Sequence, residues 1–172
     1  MSYSQNSFDL SYVPRTKGLY KNMNNSEKWF SGQTIVDRFY EQVSKFPSRI
    51  ALSNQNQRLT YAELNEYSNG VALELLNKGV KKGDFVGVFL NRSIEAVMGL
   101  LGVLKTGAIY VPIDPAYPAE RIDYMISNTN CAVLLTESEV RKKLPILKND
   151  PIIIEVNDNE MCKRKYDMQG IG

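Results

Sequence analysis

The sequence predicts an α/β fold: an open, mostly parallel sheet with helices on both faces, preceded by a helix and a β-hairpin. Three observations carry this. From Phe85 onward, short apolar runs alternate with helical patterns. One run, Phe85-Val86-Gly87-Val88-Phe89-Leu90, is apolar without alternation, as a strand covered on both faces requires. Residues 91–108, between it and the next run, are long enough to hold a crossover helix joining parallel strands.

Each element has its own signal. Thr34 is placed to cap a helix, with Asp37 three positions on. Ile35, Val36, Phe39, Tyr40, Val43 and Phe46 then recur at helical spacing until Pro47. Ile50–Ser53 and Arg58–Tyr61 flank Asn54-Gln55-Asn56-Gln57, which predicts a hairpin with a four-residue loop. Thr60-Tyr61-Ala62-Glu63 has the Thr-x-x-Glu form of a capping box. Leu64, Tyr67, Val71, Leu75 and Leu76 supply the buried stripe of the helix that follows, and Gly79 stands where a left-handed residue closes it. Ser93 caps a helix running to Lys105, stopped at Gly107, and Ile109–Ile113 is the next strand. Pro118 opens a helix at its first position, where the missing N–H costs nothing. Cys131–Leu135 reads as a strand, Ser138–Leu144 as a short helix and Ile152–Val156 as a last strand.

The domain plan is therefore an extended lead-in over 1–31, an α/β portion over 32–156 and an irregular tail or linker over 157–172. Tyr12, Tyr20, Trp29 and Phe30 are available to pin the lead-in to a surface. Lys163-Arg164-Lys165 in the tail reads as a solvated run in preference to an interaction patch.

Composition narrows the chemistry. The net charge of +2 in 172 residues offers no electrostatic case for nucleic acid or an anionic membrane. The absence of His removes Ser-His-Asp and Cys-His catalysis and imidazole metal sites from what this chain can do alone. Two cysteines make no disulfide framework. No apolar run approaches the roughly 20 residues of a membrane-spanning helix, and Met1 to Lys28 has no signal-peptide apolar region. A soluble, cytoplasmic protein is expected.

The eleven glycines are dispersed, without a Gly-x-Gly-x-x-Gly or Gly-Lys-Ser/Thr loop. The nearest imitation, Gly102 to Gly107, has Leu104 where the glycine before the lysine belongs. It also ends a helix, where the dipole repels phosphate. It reads as a helix C-terminus with Lys105 near the last carbonyls. Asp114, just after a strand, should lie at the carboxyl edge of the sheet, where open α/β folds bind ligands. Asp before Pro115 is also ordinary turn chemistry, and that is the favoured reading. Arg121, one helical turn on, is placed to pair with Asp114 as structural support. Glu63 is accounted for by its capping box, Cys131 by burial in a strand, and Cys162 has only basic neighbours to activate it. The tyrosines of the lead-in read as packing in preference to base stacking.

Two stretches together resemble a known family. Leu59-Thr60-Tyr61-Ala62-Glu63-Leu64 followed by Asn65 is similar to the first core motif of amino-acid adenylation domains of nonribosomal peptide synthetases. Leu104-Lys105-Thr106-Gly107-Ala108-Ile109-Tyr110-Val111-Pro112-Ile113-Asp114-Pro115, with Tyr117-Pro118 and Arg121, resembles their second. Lys78 to Asp84, Asn91-Arg92-Ser93 and the Thr34–Phe46 helix also fit, so the likeness covers about residues 30–156. Thr106 and Ile109 depart from the family's usual alanines.

The resemblance implies the opening portion of the large N-terminal domain of an adenylate-forming enzyme, breaking off before the family's phosphate loop. It implies that the complete enzyme uses Mg-ATP to convert an amino acid to an acyl-adenylate and loads it on a phosphopantetheine carrier. The expected partners are the rest of the adenylation domain, a peptidyl carrier domain and a condensation domain. The family's phosphate-loop, pocket and catalytic lysine positions have no match here. No catalytic, cofactor-binding or metal role is therefore assigned to any residue, and the chain alone is expected to be inactive. A naturally short docking module for another synthetase subunit, or part of a stand-alone carrier-protein ligase, are the alternatives. An incomplete fold should also expose apolar surface.

Overall fold

The computed structural model describes residues 34–55 and 57–156. The expected lead-in and tail, with Cys162 and the Lys163–Lys165 run, lie outside them. Helix α1 (Ile35–Lys45) begins at a capping box: the Thr34 hydroxyl accepts from the Asp37 amide, and the Asp37 carboxylate accepts from the Thr34 N–H at 2.7 Å. Phe39 packs against the core, but no residue of α1 is fully buried and Ile35 stays 70% exposed.

Strands β1 (Ile50–Ser53) and β2 (Arg58–Thr60) form the antiparallel hairpin, with a register shift between Ile50 and Leu52. β2 stops one residue short of the expected Tyr61 because Thr60 is also the N-cap of α2 (Tyr61–Asn77). There Glu63 accepts from the Thr60 N–H at 2.7 Å and the Thr60 hydroxyl accepts in return. The buried face of α2 is Leu64, Ser68, Val71, Ala72 and Leu75. Tyr67 and Leu76, expected in that stripe, are only partly covered, and the small residues Ser68 and Ala72 take the inner positions. Gly79 closes the helix at φ +84°. Its N–H donates to Leu76 and that of Val80 to Leu75, the paired bonds of a Schellman motif.

The second sheet alternates with helices throughout. Its strands are β3 (Phe85–Phe89), β4 (Ile109–Ile113), β5 (Val133–Thr136) and β6 (Ile152–Glu155). The helices are α3 (Ile94–Lys105), α4 (Ala119–Thr129) and α5 (Ser138–Arg141). The order is β4-β3-β5-β6 and all three pairings are parallel. Alternate residues of the inner strands feed two cores. Val86, Val88, Val133 and Leu135 face α2 and α3, with Val71, Leu75, Met98 and Val103. Phe89, Leu134 and Ile113 face α4 and α5, with Ile122, Ile126 and Val140. Helices therefore cover both faces, as the unbroken apolar character of β3 required.

Several limits differ from the sequence reading. Pro118 is the N-cap of α4, not its first helical residue: its ψ of 145° is extended, while its carbonyl already accepts from Ile122. Cys131 is not in β5. Asn130 turns left-handed at φ 50°, and the Cys131 N–H donates back to Ile126, so these residues close α4. α5 ends at Arg141 instead of Leu144, β3 at Phe89 instead of Leu90, and β6 at Glu155 instead of Val156.

Candidate functional site: the carboxyl edge of the sheet

The chain passes from β3 outward to β4, then returns across β3 to β5 and goes on to β6. The direction of winding reverses between β3 and β5, which is where an open α/β sheet leaves a crevice at its carboxyl end. The residues following these strands meet there. Asn91, after β3, donates to Glu137, after β5, at 3.4 Å. Burial, reinforced by the neighbouring Glu95 carboxylate, raises the pKa of Glu137, and the Asn91 bond opposes this. Beside them a cleft of about 560 Å³ is lined by Asn91, Arg92, Tyr110, Asp114 and Tyr117 over Val88 and Pro112. Sequence reading placed Asp114 at this edge but missed Glu137. Its only signal was its position directly after a strand.

Asp114 behaves as turn chemistry predicts. Its Oδ1 accepts from the Ala116 N–H at 2.8 Å and its carbonyl from that of Tyr117 at 3.0 Å. The expected Asp114–Arg121 pair does not form. The Arg121 guanidinium lies over the Tyr117 ring at 4.2 Å instead, a cation–π contact at the start of α4. Glu63 is held below the usual carboxylate range by the Thr60 N–H and hydroxyl, consistent with its capping role. Cys131 is buried, and burial pushes its thiol up, which is the opposite of activation.

Lys105 departs from expectation. It leaves the end of α3 and crosses to α2, where Nζ donates to Asn65 Oδ1 (2.8 Å), the Asn65 carbonyl (3.2 Å), Ser68 Oγ (2.7 Å) and Asn69 Oδ1 (2.7 Å). The rings of Phe39 and Tyr40 on α1 stand 5.3 and 5.1 Å from it. Burial pulls its pKa down to about 7. Gly102 lies against Val71, whose Cγ1 would be 2.5 Å from an added Cβ. Lysine and glycine of the phosphate-loop imitation are thus both spent on helix packing, so these residues do not fit a nucleotide phosphate. Among the described residues, no group of three His, Cys, Asp or Glu is placed to hold a metal. No helix among them is long and apolar enough to cross a membrane.

Comparison with known proteins places this arrangement. The sequence pattern of the family described as AMP-binding enzyme matches residues 39–169. Gramicidin S synthase 2 of Brevibacillus brevis is 46% identical over 114 residues, covering 66% of this chain and 3% of that protein. Among solved structures, the Klebsiella oxytoca NpsA N-terminal subdomain is 26% identical with a TM-score of 0.65, over 77% of this chain and 33% of that one. NpsA-ThdA, an artificially fused Adenylation-PCP di-domain from the same organism, is 26% identical with a TM-score of 0.66, over 77% and 24%. The chain thus spans only a few per cent of the curated relatives it matches, and its parallel sheet corresponds to part of an N-terminal adenylation subdomain. On the pattern match and on these identities together, the chain belongs to the AMP-binding enzyme family.

Proposed function

We propose that this chain is the opening part of an enzyme that activates an amino acid with ATP as an acyl-adenylate and passes it to a phosphopantetheine carrier. The observation that carries the reading is the 46% identity to Gramicidin S synthase 2 over 114 residues. The fused adenylation–carrier protein among the similar structures supports a carrier domain as partner. A condensation domain is a further proposed partner.

The 172 residues alone do not perform the reaction. The segment that imitates a phosphate loop is committed to packing through Gly102 and Lys105, which supports a place for Mg-ATP outside that segment. The roles of this part are to hold the sheet and to present its carboxyl edge. Amino-acid-dependent exchange of labelled pyrophosphate into ATP tests both statements. The uninterrupted polypeptide encoded with this segment should exchange with at least one amino acid, and the 172-residue chain should stay at background. Silence from the longer polypeptide across all the common amino acids overturns the activity; exchange by the short chain overturns its inactivity.

A further inference from the structure

The two outer strands of the parallel sheet, β4 and β6, differ in what their free edges offer. Along a strand, each residue points its N–H and its C=O to the same side, and successive residues alternate. The Ile109 N–H donates to Asp84, just before β3. Val111 and Ile113 follow it inward, so Tyr110 and Pro112 face outward from the β3–β4 pair. Pro112 has no N–H to offer, and a proline at such a place is one of the devices that close a sheet edge. On the other side of the sheet, Ile152 donates to Ala132 and Val156 to Thr136. Ile153 and Glu155 therefore face outward from the β5–β6 pair, and both carry an N–H.

β6 has none of the devices that close an edge. Ile152-Ile153-Ile154 is uncharged and β-branched, without proline. The one charge, on Glu155, is drawn to α5 by Ser138 at 2.6 Å and Arg141 at 2.7 Å. Ile152 stays 45% exposed, and among the described residues no strand pairs with this edge. We propose that β6, not β4, carries the sheet onward, its outer edge pairing with a strand from the rest of the N-terminal subdomain, outside this chain. This rests on the reading of the chain as the opening part of an adenylating enzyme. The length of polypeptide outside the chain argues for that occupant: the chain covers 33% of the similar NpsA subdomain, so most of a subdomain of that size comes from elsewhere. Helices lie on both faces of the sheet, so the added strand should be apolar on both of its faces. Its main chain would bond Ile153 and Glu155, and its side chains would cover Ile152.

The test is hydrogen exchange, resolved to single amides, on the uninterrupted polypeptide encoded with this segment. Ile153 and Glu155 should exchange about as slowly as the inward-facing Ile154, at least about a hundredfold below an unpaired amide, whatever the protein concentration. Tyr110, on the outer edge of β4, should exchange faster than either. Ile153 or Glu155 exchanging at the unpaired rate overturns the proposal, and so does Tyr110 slower than both. Protection that appears only at high concentration overturns it too, because a second copy is then the occupant. Ile153→Ala and Ile153→Pro lose similar packing, but only the second loses the N–H. Glu155 should therefore exchange at least about tenfold faster in Ile153→Pro than in Ile153→Ala, and equal rates overturn the pairing. If Ile153→Pro does not fold, the wild-type amides decide alone. Pyrophosphate exchange by the same preparation separates the two claims. Activity with fast Ile153 and Glu155 removes only the pairing, and slow amides without activity remove only the reaction.

Discussion

Gly102 has no room for a side chain: an added Cβ would meet Val71 Cγ1 at 2.5 Å and the Ser68 carbonyl at 3.2 Å. Its absence lets α3 lie close against α2. Gly102→Val should therefore cost about 1–3 kcal/mol, the usual range for overpacking, read as a lower urea midpoint. Glu63 acts through its charge instead. Its folded pKa is lowered, so its contribution is complete above the ordinary glutamate value and is lost as pH falls through the folded value. The stability gap between wild type and Glu63→Gln should shrink on acidification, and a constant gap from neutral pH to about pH 3 would count against the capping box. Asp114 is exposed and needs only one acceptor oxygen for its turn. Asp114→Asn should thus stay within about 0.5 kcal/mol of wild type in the same assay.

At the scale of elements, α4 is closed by a left-handed residue that is not glycine. Asn130 ends it at φ 50°, a conformation that costs a β-branched residue dearly and glycine nothing. Asn130→Gly should leave thermal stability unchanged or slightly raised, and Asn130→Val should lower it by about 1–2 kcal/mol. α5 is fastened differently. Ser138 donates to Glu155 at 2.6 Å and Arg141 pairs with it at 2.7 Å, which ties this short helix to β6. The pair is exposed, so its contribution is small. The capping boxes of α1 and α2 and the left-handed glycine after α2 were all legible in sequence, since each is made by residues a few positions apart. The ends of α5 and β5 were not, because the last turn of one and the first residues of the other depend on what packs beside them.

At the scale of the molecule, the sheet is shared by two cores, and Phe89 is fully buried in one of them. Phe89→Ala should cost about 3–5 kcal/mol, a large part of the roughly 5–15 kcal/mol that holds a domain together. Far-ultraviolet circular dichroism and tyrosine fluorescence should lose their transitions together, because the faces share β3 and β5. Apolar side chains remain at the outer strands: Ile109 on β4 is 43% exposed and Ile152 on β6 is 45%.

The sequence by itself determined the class of the fold, the order of its elements and the family. Those properties rest on local patterns: caps that bond three residues on, apolar periodicity, and two motifs read as strings. Tertiary structure alone decided the strand order, with β3 rather than β4 at the centre, and therefore that Asn91 and Glu137 meet at the carboxyl edge. It also decided that Arg121 stacks on Tyr117 instead of pairing with Asp114, and that Lys105 spans three helices instead of capping its own. Each of these joins residues far apart in sequence or chooses among partners at similar reach. Desolvation and packing settle such choices, and neither is defined until the chain has folded.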